Sequence, residues 1–135
     1  MAHGCYYFST KTVMKDFMST LDQLALVFSG LCHDVSHTGY TNSFETNTFS
    51  KLATRYNDKS VLENHHLATT FKILKDPNKN ILDRMEKDEY LRFRKIVITD
   101  ILATDMKEHF TLMHNFELKI KENNYSIIKI SFSFF

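Results

Sequence analysis

The chain has 135 residues, 43% of them hydrophobic and 24% charged, which is the usual composition of a single soluble globular domain. Its 17 basic and 16 acidic residues give a net charge of +1, so the composition indicates neither a nucleic acid nor an anionic membrane as a partner. The sequence has three glycines, one proline, two widely spaced cysteines, no signal peptide, and no apolar run near the roughly 18 residues of a membrane span. The small number of glycines and prolines favours long helices. The other features favour an intracellular, cytosolic protein.

The first part of the chain contains one strongly apolar segment among shorter pieces. This segment, Leu21–Leu31, follows possible N-caps at Ser19 and Thr20, and its apolar residues surround the helix, so we expect a helix that is buried on all sides. Short helices are predicted at residues 6–18, 43–48 and 51–55, with a break at Gly39.

The second part predicts three longer helices. Ser60 followed by Glu63 has the spacing of a capping box, and it opens a helix that ends before Pro77. Two further helices are predicted at Glu86–Met106 and Glu108–Lys121. No alternation typical of strands persists before residue 124, so the predicted fold class is all-α, with orthogonally packed helices.

A cluster of potential metal ligands follows the apolar segment. His33 and Asp34 are adjacent, and His37 lies four residues after His33, so the two imidazoles would share a face if the helix continued. Imidazole nitrogen suits zinc, whereas a carboxylate also binds a harder ion such as magnesium. The alternative is an exposed His/Asp turn at a helix end with no ligand.

Three longer motifs occur in the sequence, and the first of them contains this cluster. The pattern HDxxHxGxxNxF runs from His33 to Phe44, YNDxSVLENHH from Tyr56 to His66, and ATDMxxHF from Ala103 to Phe110. Together, and in this order, they resemble the catalytic domain of the class I cyclic nucleotide 3′,5′-phosphodiesterases over about residues 5–120. The resemblance implies metal-dependent hydrolysis of cyclic AMP, cyclic GMP or both in signal transduction.

The resemblance also implies roles for individual residues. His33 would bind zinc, and Asp34 would bridge zinc and a second divalent ion, magnesium or manganese. Such a pair of ions suits an anionic phosphodiester, because it neutralises the phosphate and makes a bound water acidic.

The remaining predicted site residues lie around that pair of ions. His37, Glu63 and Thr104 would hold waters on the second ion, and Met106 would line the nucleotide pocket. The alternative for Glu63 is a role in helix capping. The alternative for Thr104 and Met106 is a structural position in a helix interior or in the core. Other motif positions are interpreted mainly as capping and polar scaffolding: Asn42, Asp58, Asn64, His65, His66, Asp105 and His109.

The sequence departs from the family pattern at both ends. The family motif HNxxHxxDV, with its general-acid histidine and a further zinc ligand, does not occur, and neither do the downstream aspartate ligand and purine-binding glutamine. We therefore predict that residues 1–122 form a partial catalytic domain, incomplete at both ends, that is inactive alone. The general-acid histidine would lie outside the chain, and so would the purine-contacting residues that select cyclic AMP or cyclic GMP.

Residues 123–135 differ in composition from the rest of the chain. They consist almost entirely of Asn, Tyr, Ile, Lys, Ser and Phe, amino acids that AT-rich DNA encodes often. The hypothesis that follows is a tail that does not match the family and that arose as a gene-model artefact. Two alternatives for the whole chain remain, namely another HD-type metal phosphohydrolase and a non-catalytic helical regulatory or interaction module.

Overall fold

The computed structural model describes residues 1–122, and the predicted tail at residues 123–135 lies outside the described residues. The described part contains a 3-10 helix at Val13–Phe17 and seven α-helices: α1 (Ala2–Lys11), α2 (Thr20–Cys32), α3 (Asn42–Asn47), α4 (Lys51–Tyr56), α5 (Val61–Leu74), α6 (Lys87–Leu102) and α7 (Met106–Glu122). No strand occurs within residues 1–122, so the all-α prediction is confirmed. None of the helices in this range combines the length and apolarity of a transmembrane span.

Helix α2 is the element that carries the His/Asp cluster, and it is anchored at its start. Ser19 is the N-cap: its hydroxyl accepts the Asp22 backbone N–H at 3.2 Å, and the Asp22 carboxylate accepts the Ser19 N–H at 3.0 Å. Arg92 on α6 donates to both Asp22 carboxylate oxygens, at 2.8 and 3.1 Å. Burial favours a higher pKa for Asp22, but the hydrogen bonds from Ser19 and the charge of Arg92 hold it below its ordinary value.

The hydrophobic core lies between α2, α5 and α6. The rings of Phe28 and Phe93 pack in a tilted arrangement with centroids 5.3 Å apart, and Phe93 is fully buried. The expectation that α2 is buried on all sides is wrong, since Leu24 and Leu31 are 44% and 70% exposed. Within the described residues α2 packs mainly against α1 and α6 and less extensively against α5.

The predicted helix at residues 6–18 begins earlier and is interrupted. The α-helix starts at Ala2, and Thr12 adopts an extended conformation that ends it. The Thr12 hydroxyl then accepts the Met14 backbone N–H at 3.2 Å, which starts the 3-10 helix. A threonine side chain therefore competes with the helix for a backbone donor, as such side chains commonly do.

The predicted helix Glu86–Met106 ends earlier, at Leu102, and α7 begins at Met106 instead of Glu108. Side-chain hydrogen bonds cause the break. The Thr104 hydroxyl donates to the Ile101 carbonyl at 2.7 Å, and an Asp105 carboxylate oxygen accepts the Lys107 N–H at 3.0 Å. Asp105 thus satisfies a free donor in the first turn of α7, which starts a new helix at this point.

The predicted capping box at Ser60 is also wrong, because the Ser60 side chain makes no cap to α5. Ser60 adopts a left-handed conformation with φ 38°, and its hydroxyl donates to the other Asp105 carboxylate oxygen at 2.8 Å. Asp105 is buried. The contact joins the start of α5 to the α6–α7 junction, and so it brings Glu63 and Thr104 into one region.

The buried position of Asp100 on α6 leads us to expect an unusual dependence of stability on pH. One of its oxygens is buried without a hydrogen-bond partner among the described residues, and burial raises the pKa of this carboxyl from 3.8 to about 6. The folded chain therefore keeps the proton up to about pH 6, while the unfolded chain loses it near 3.8. Because the native state binds more protons in this window, Asp100 contributes less stability as the pH rises from about 4 to 6.

Asp100→Asn should remove this dependence. We expect the difference in the free energy of unfolding, variant minus original chain, to be more positive at pH 7 than at pH 4 by about 1 to 3 kcal/mol. Urea unfolding across that range measures it, with the exposed Asp88→Asn on the same helix as control. Parallel pH profiles for Asp100→Asn and the original chain would contradict the prediction.

Candidate metal centre and adjoining cleft

The turn that follows α2 places the predicted ligands. The helix ends at Cys32, so the condition under which His33 and His37 would share a helical face is not met. Two successive turns follow, in which the Val35 N–H donates to the Cys32 carbonyl and the His37 N–H to the Asp34 carbonyl. The chain is thereby folded back on itself, and Asp34 and His37 come close together.

The Nε2 atom of the His33 ring lies next to the Asp34 carboxylate. Its Nδ1 lies 3.1 Å from the Gly30 carbonyl oxygen, and its Nε2 lies 3.1 Å from Asp34 Oδ2. Because a carbonyl can only accept, Nδ1 carries the hydrogen, and the neutral ring then has a lone pair on Nε2 facing a carboxylate oxygen. The distance fits either a hydrogen shared by the two atoms or a metal ion held by both. The Nδ1–H to carbonyl bond is the usual arrangement behind a metal-bound histidine.

His66, from α5, reaches the same place. Its buried ring donates from Nδ1 to the Val35 carbonyl at 2.8 Å, which leaves the Nε2 lone pair available. Potential ligand atoms of Asp34, His37 and His66 all lie within 4.8 Å of one another. Burial lowers the pKa of His66, and so favours the neutral ring that a metal requires.

His66, which the sequence suggests is polar scaffolding, lies next to two of the predicted site residues, Asp34 and His37. A signal was available in the sequence. His66 lies three residues after Glu63, so both occupy one face of α5, and any site at Glu63 would also be within reach of His66.

His37 differs from the other two histidines in its tautomer. Its Nδ1 accepts the Gly39 backbone N–H at 2.9 Å, so the proton of the neutral ring is on Nε2. Gly39 has φ +85°, a conformation that favours glycine, and this turn geometry makes the contact possible. His37 is therefore suited to donate to a bound water. This is what its predicted role requires, and the role itself stays a prediction.

Glu63 is held at the start of α5 by a residue from α3. The Asn42 side-chain N–H donates to Glu63 Oε2 at 2.9 Å, while the Asn42 oxygen accepts the Leu62 N–H at 2.9 Å. Glu63 is buried, with 9% of its surface exposed. The arrangement leaves Glu63 Oε1 available to accept hydrogen bonds from the adjoining cleft.

That cleft has a volume of about 1050 Å³, and most of the residues that line it are polar or charged. Four of the predicted site residues line it: His37, Glu63, Thr104 and Met106. Met106 is 68% exposed, so it is not a core residue, and Thr104 lies in the turn between α6 and α7 and not within a helix. The other two predicted residues, His33 and Asp34, do not line the cleft, although a carboxylate oxygen of Asp34 lies within 4.8 Å of a ring nitrogen of His37.

The donor set fits divalent metal ions. Asp34 provides carboxylate oxygens, and His66 provides an imidazole lone pair whose opposite nitrogen already donates to a backbone carbonyl. His33 lies against Asp34 but outside the group formed by Asp34, His37 and His66. Zinc binds this combination of nitrogen and oxygen. Magnesium keeps several waters and needs only one or two carboxylates, so Asp34 with nearby water-binding groups would be sufficient for it.

Comparison with known proteins agrees with the motifs. The family model described as 3′5′-cyclic nucleotide phosphodiesterase matches residues 1–133. A probable 3′,5′-cyclic phosphodiesterase, pde-1, from Caenorhabditis elegans is 43% identical over 82% of this chain and 17% of its own length. The 3′,5′-cyclic-nucleotide phosphodiesterase regA from Dictyostelium discoideum is 43% identical over 83% of this chain and 14% of its own length.

A solved structure is also similar. The phosphodiesterase domain of the RhoPDE fusion protein from the choanoflagellate Salpingoeca rosetta matches with a TM-score of 0.81 at 38% identity, over 86% of this chain and 37% of that one. The chain thus spans roughly a sixth of the length of these two curated relatives and about a third of the solved domain.

Proposed function

The chain belongs to the 3′,5′-cyclic nucleotide phosphodiesterase family, and from this premise we propose that its site serves hydrolysis of cyclic AMP, cyclic GMP or both to 5′-nucleoside monophosphates in signal transduction. The observation that carries the proposal is the His33 Nε2 to Asp34 Oδ2 distance of 3.1 Å, with Nδ1 committed to a carbonyl. A metal ion held by these two atoms would fit this distance, and Asp34 lies within 4.8 Å of His37, which lines a cleft large enough for a nucleotide.

We propose zinc and magnesium, or manganese in place of magnesium, as the metal ions. His33 and Asp34 would hold zinc, and Asp34 would also contact the second ion. When bound, the ions would neutralise phosphate charge and lower the pKa of a bound water. His37 would donate from Nε2 to that water, Glu63 Oε1 and the Thr104 hydroxyl would accept hydrogen bonds from others, and Met106 would contact the nucleotide.

The proton for the leaving 3′-oxygen has no assigned donor in this chain. The family motif HNxxHxxDV does not occur in the sequence. His33 and Asp34, even with His66 beside Asp34, provide fewer than the about four ligands that zinc prefers, so they would bind zinc weakly. We therefore propose that residues 1–122 contribute part of a catalytic domain and that the 135-residue chain alone does not turn over cyclic nucleotides.

An intracellular, cytosolic location is part of the same proposal. Cyclic nucleotide signalling takes place inside the cell, and both cysteines, Cys5 and Cys32, are free thiols, which suits a reducing compartment. The cyclic nucleotide is the proposed partner, and the near-neutral charge supports no role for nucleic acid.

A chimera tests the function directly. Residues 1–122 would replace the matching stretch of the Salpingoeca rosetta phosphodiesterase domain, which would supply the missing motifs. With zinc and magnesium present, we expect turnover of cyclic AMP or cyclic GMP to the 5′-nucleotide by the chimera and none by the 135-residue chain. His33→Ala should abolish turnover, and His3→Ala, an exposed position outside the motifs, should retain it.

The outcomes also separate the alternatives. A folded chimera that hydrolyses other nucleotide phosphates and no cyclic nucleotide would favour another HD-type phosphohydrolase. A folded chimera without turnover, together with a chain that retains no metal after dialysis, would favour a non-catalytic helical module. Either result would overturn the proposed function.

A further inference from the structure

Asn42 connects two parts of the proposed site through a single side-chain amide. It is the first residue of α3, and its Nδ2 donates to Glu63 Oε2 at 2.9 Å across 21 residues of chain. Its Oδ1 accepts the Leu62 backbone N–H at 2.9 Å. On the proposed function, we infer that Asn42 is a positioning residue that fixes the Glu63 carboxylate, so that Oε1 faces the cleft.

The contact limits the freedom of a flexible side chain. A glutamate has three rotatable side-chain bonds and loses much conformational entropy when it is held in one rotamer. Asn42 is itself fixed, because its second hydrogen bond is to backbone and because Thr41 caps α3 by accepting the Phe44 N–H at 3.1 Å. Catalytic groups require this kind of support from neighbours whose own positions are fixed.

The contact also stabilises negative charge at a nearly buried position. Glu63 is only 9% exposed, so an ionised carboxylate there loses most of its hydration and needs a donor. The Asn42 N–H supplies a charge-assisted hydrogen bond to Oε2. Glu63 also lies in the first turn of α5, where the helix dipole favours an anion. The ionised form is the one that accepts hydrogen bonds from metal-bound waters at Oε1.

Asn42 has a structural role as well, and any test must separate the two roles. Ser60 does not cap α5, so the Leu62 N–H at the start of that helix depends on Asn42 Oδ1. Asn42→Ala would remove both contacts and would mix loss of stability with loss of positioning. Asn42→Asp keeps an oxygen for Leu62 and changes only the Glu63 contact, which becomes one carboxylate against another.

The first measurement is made on the metal-free 135-residue chain, without any assay of activity. Asn42→Asp is expected to lower the unfolding temperature by about 5 °C, since like charges in contact are destabilising. In the double variant, Asn42→Asp with Glu63→Gln, the new amide donates to the new carboxylate and the original net charge returns. The unfolding temperature should therefore move back toward that of the original chain.

The second measurement is made on the chimera. Asn42→Asp should lower kcat by about 10- to 100-fold, the range typical for partners of site residues, with little change in KM. Because Asn42 acts through Glu63, Asn42→Asp should have no further effect on kcat when Glu63→Gln is already present. Asn78→Asp, the same substitution in an exposed loop, is the control and should leave kcat within about twofold.

Each outcome decides between the two levels of the proposal. Two results would overturn the role of Asn42. One is a loss of kcat in the double variant that equals the sum of the losses, in free energy, of the two single variants. The other is a double variant whose unfolding temperature is no higher than that of Asn42→Asp. A chimera that folds and never turns over cyclic nucleotide would overturn the proposed function instead. In that case the unfolding temperatures of the original chain, the single variants and the double variant would still show whether Asn42 fixes Glu63.

Discussion

Asp34→Asn is expected to abolish measurable binding of zinc and manganese by the 135-residue chain, with a loss of affinity of at least about 100-fold. Removal of an outer partner of a metal ligand commonly costs 10- to 100-fold, and Asp34 is proposed to bind both ions itself. Its Oδ2 faces His33 Nε2 at 3.1 Å, and its carboxylate also lies within ligand reach of His37 and His66. Without this oxygen, only imidazole nitrogens would remain at the centre.

Calorimetric titration with each metal measures the change, with the exposed Asp16→Asn as a charge-matched control that should bind as the original chain does. The same titration of His33→Ala and His66→Ala would identify which imidazole supplies the nitrogen. We expect the larger loss for His33→Ala. Undiminished zinc binding by Asp34→Asn would contradict the metal centre as described.

Phe93→Ala should lower the free energy of unfolding by about 3 to 5 kcal/mol, because Phe93 is the largest fully buried side chain among the described residues. Phe93 is fully buried on α6 and packs on Phe28 of α2, so truncation leaves a cavity between the two helices that form most of the core. Because small domains have total stabilities of about 5 to 15 kcal/mol, such a loss could leave the chain largely unfolded.

Urea unfolding followed by circular dichroism measures this effect. Phe110→Ala on α7 is the matched control: Phe110 is 76% exposed, and we expect a change within about 0.5 kcal/mol. No Cα of another described helix lies within 8 Å of a Cα of α7, so little packing depends on that side chain. Equal effects of the two substitutions would show that the α2–α6 core is not the main source of stability.

The helices themselves could largely be predicted from the sequence, because their signals are local. Ser19 and Asp22 form their capping box within one turn, and α5 ends before Pro77 as expected, since capping and proline geometry involve neighbouring residues only. The candidate site residues could also be selected from the sequence, because the three motifs contain His33, Asp34 and Glu63, and their roles stay predictions. Residue type and order are sufficient for that inference.

The tertiary structure decided the features that depend on residues far apart in the chain. Ser60 has the spacing of an N-cap, yet its hydroxyl bonds Asp105, 45 residues away, and Asp105 in turn separates α6 from α7. His66 approaches Asp34 because its ring donates to the Val35 carbonyl across 31 residues, and Asn42 reaches Glu63 across 21. Local spacing shows that a side chain can form a hydrogen bond, but packing determines which of several competing partners lies within 3 Å. The amino-acid order therefore determined which groups were available for the site, and the packing of α2, α3 and α5 determined which groups meet.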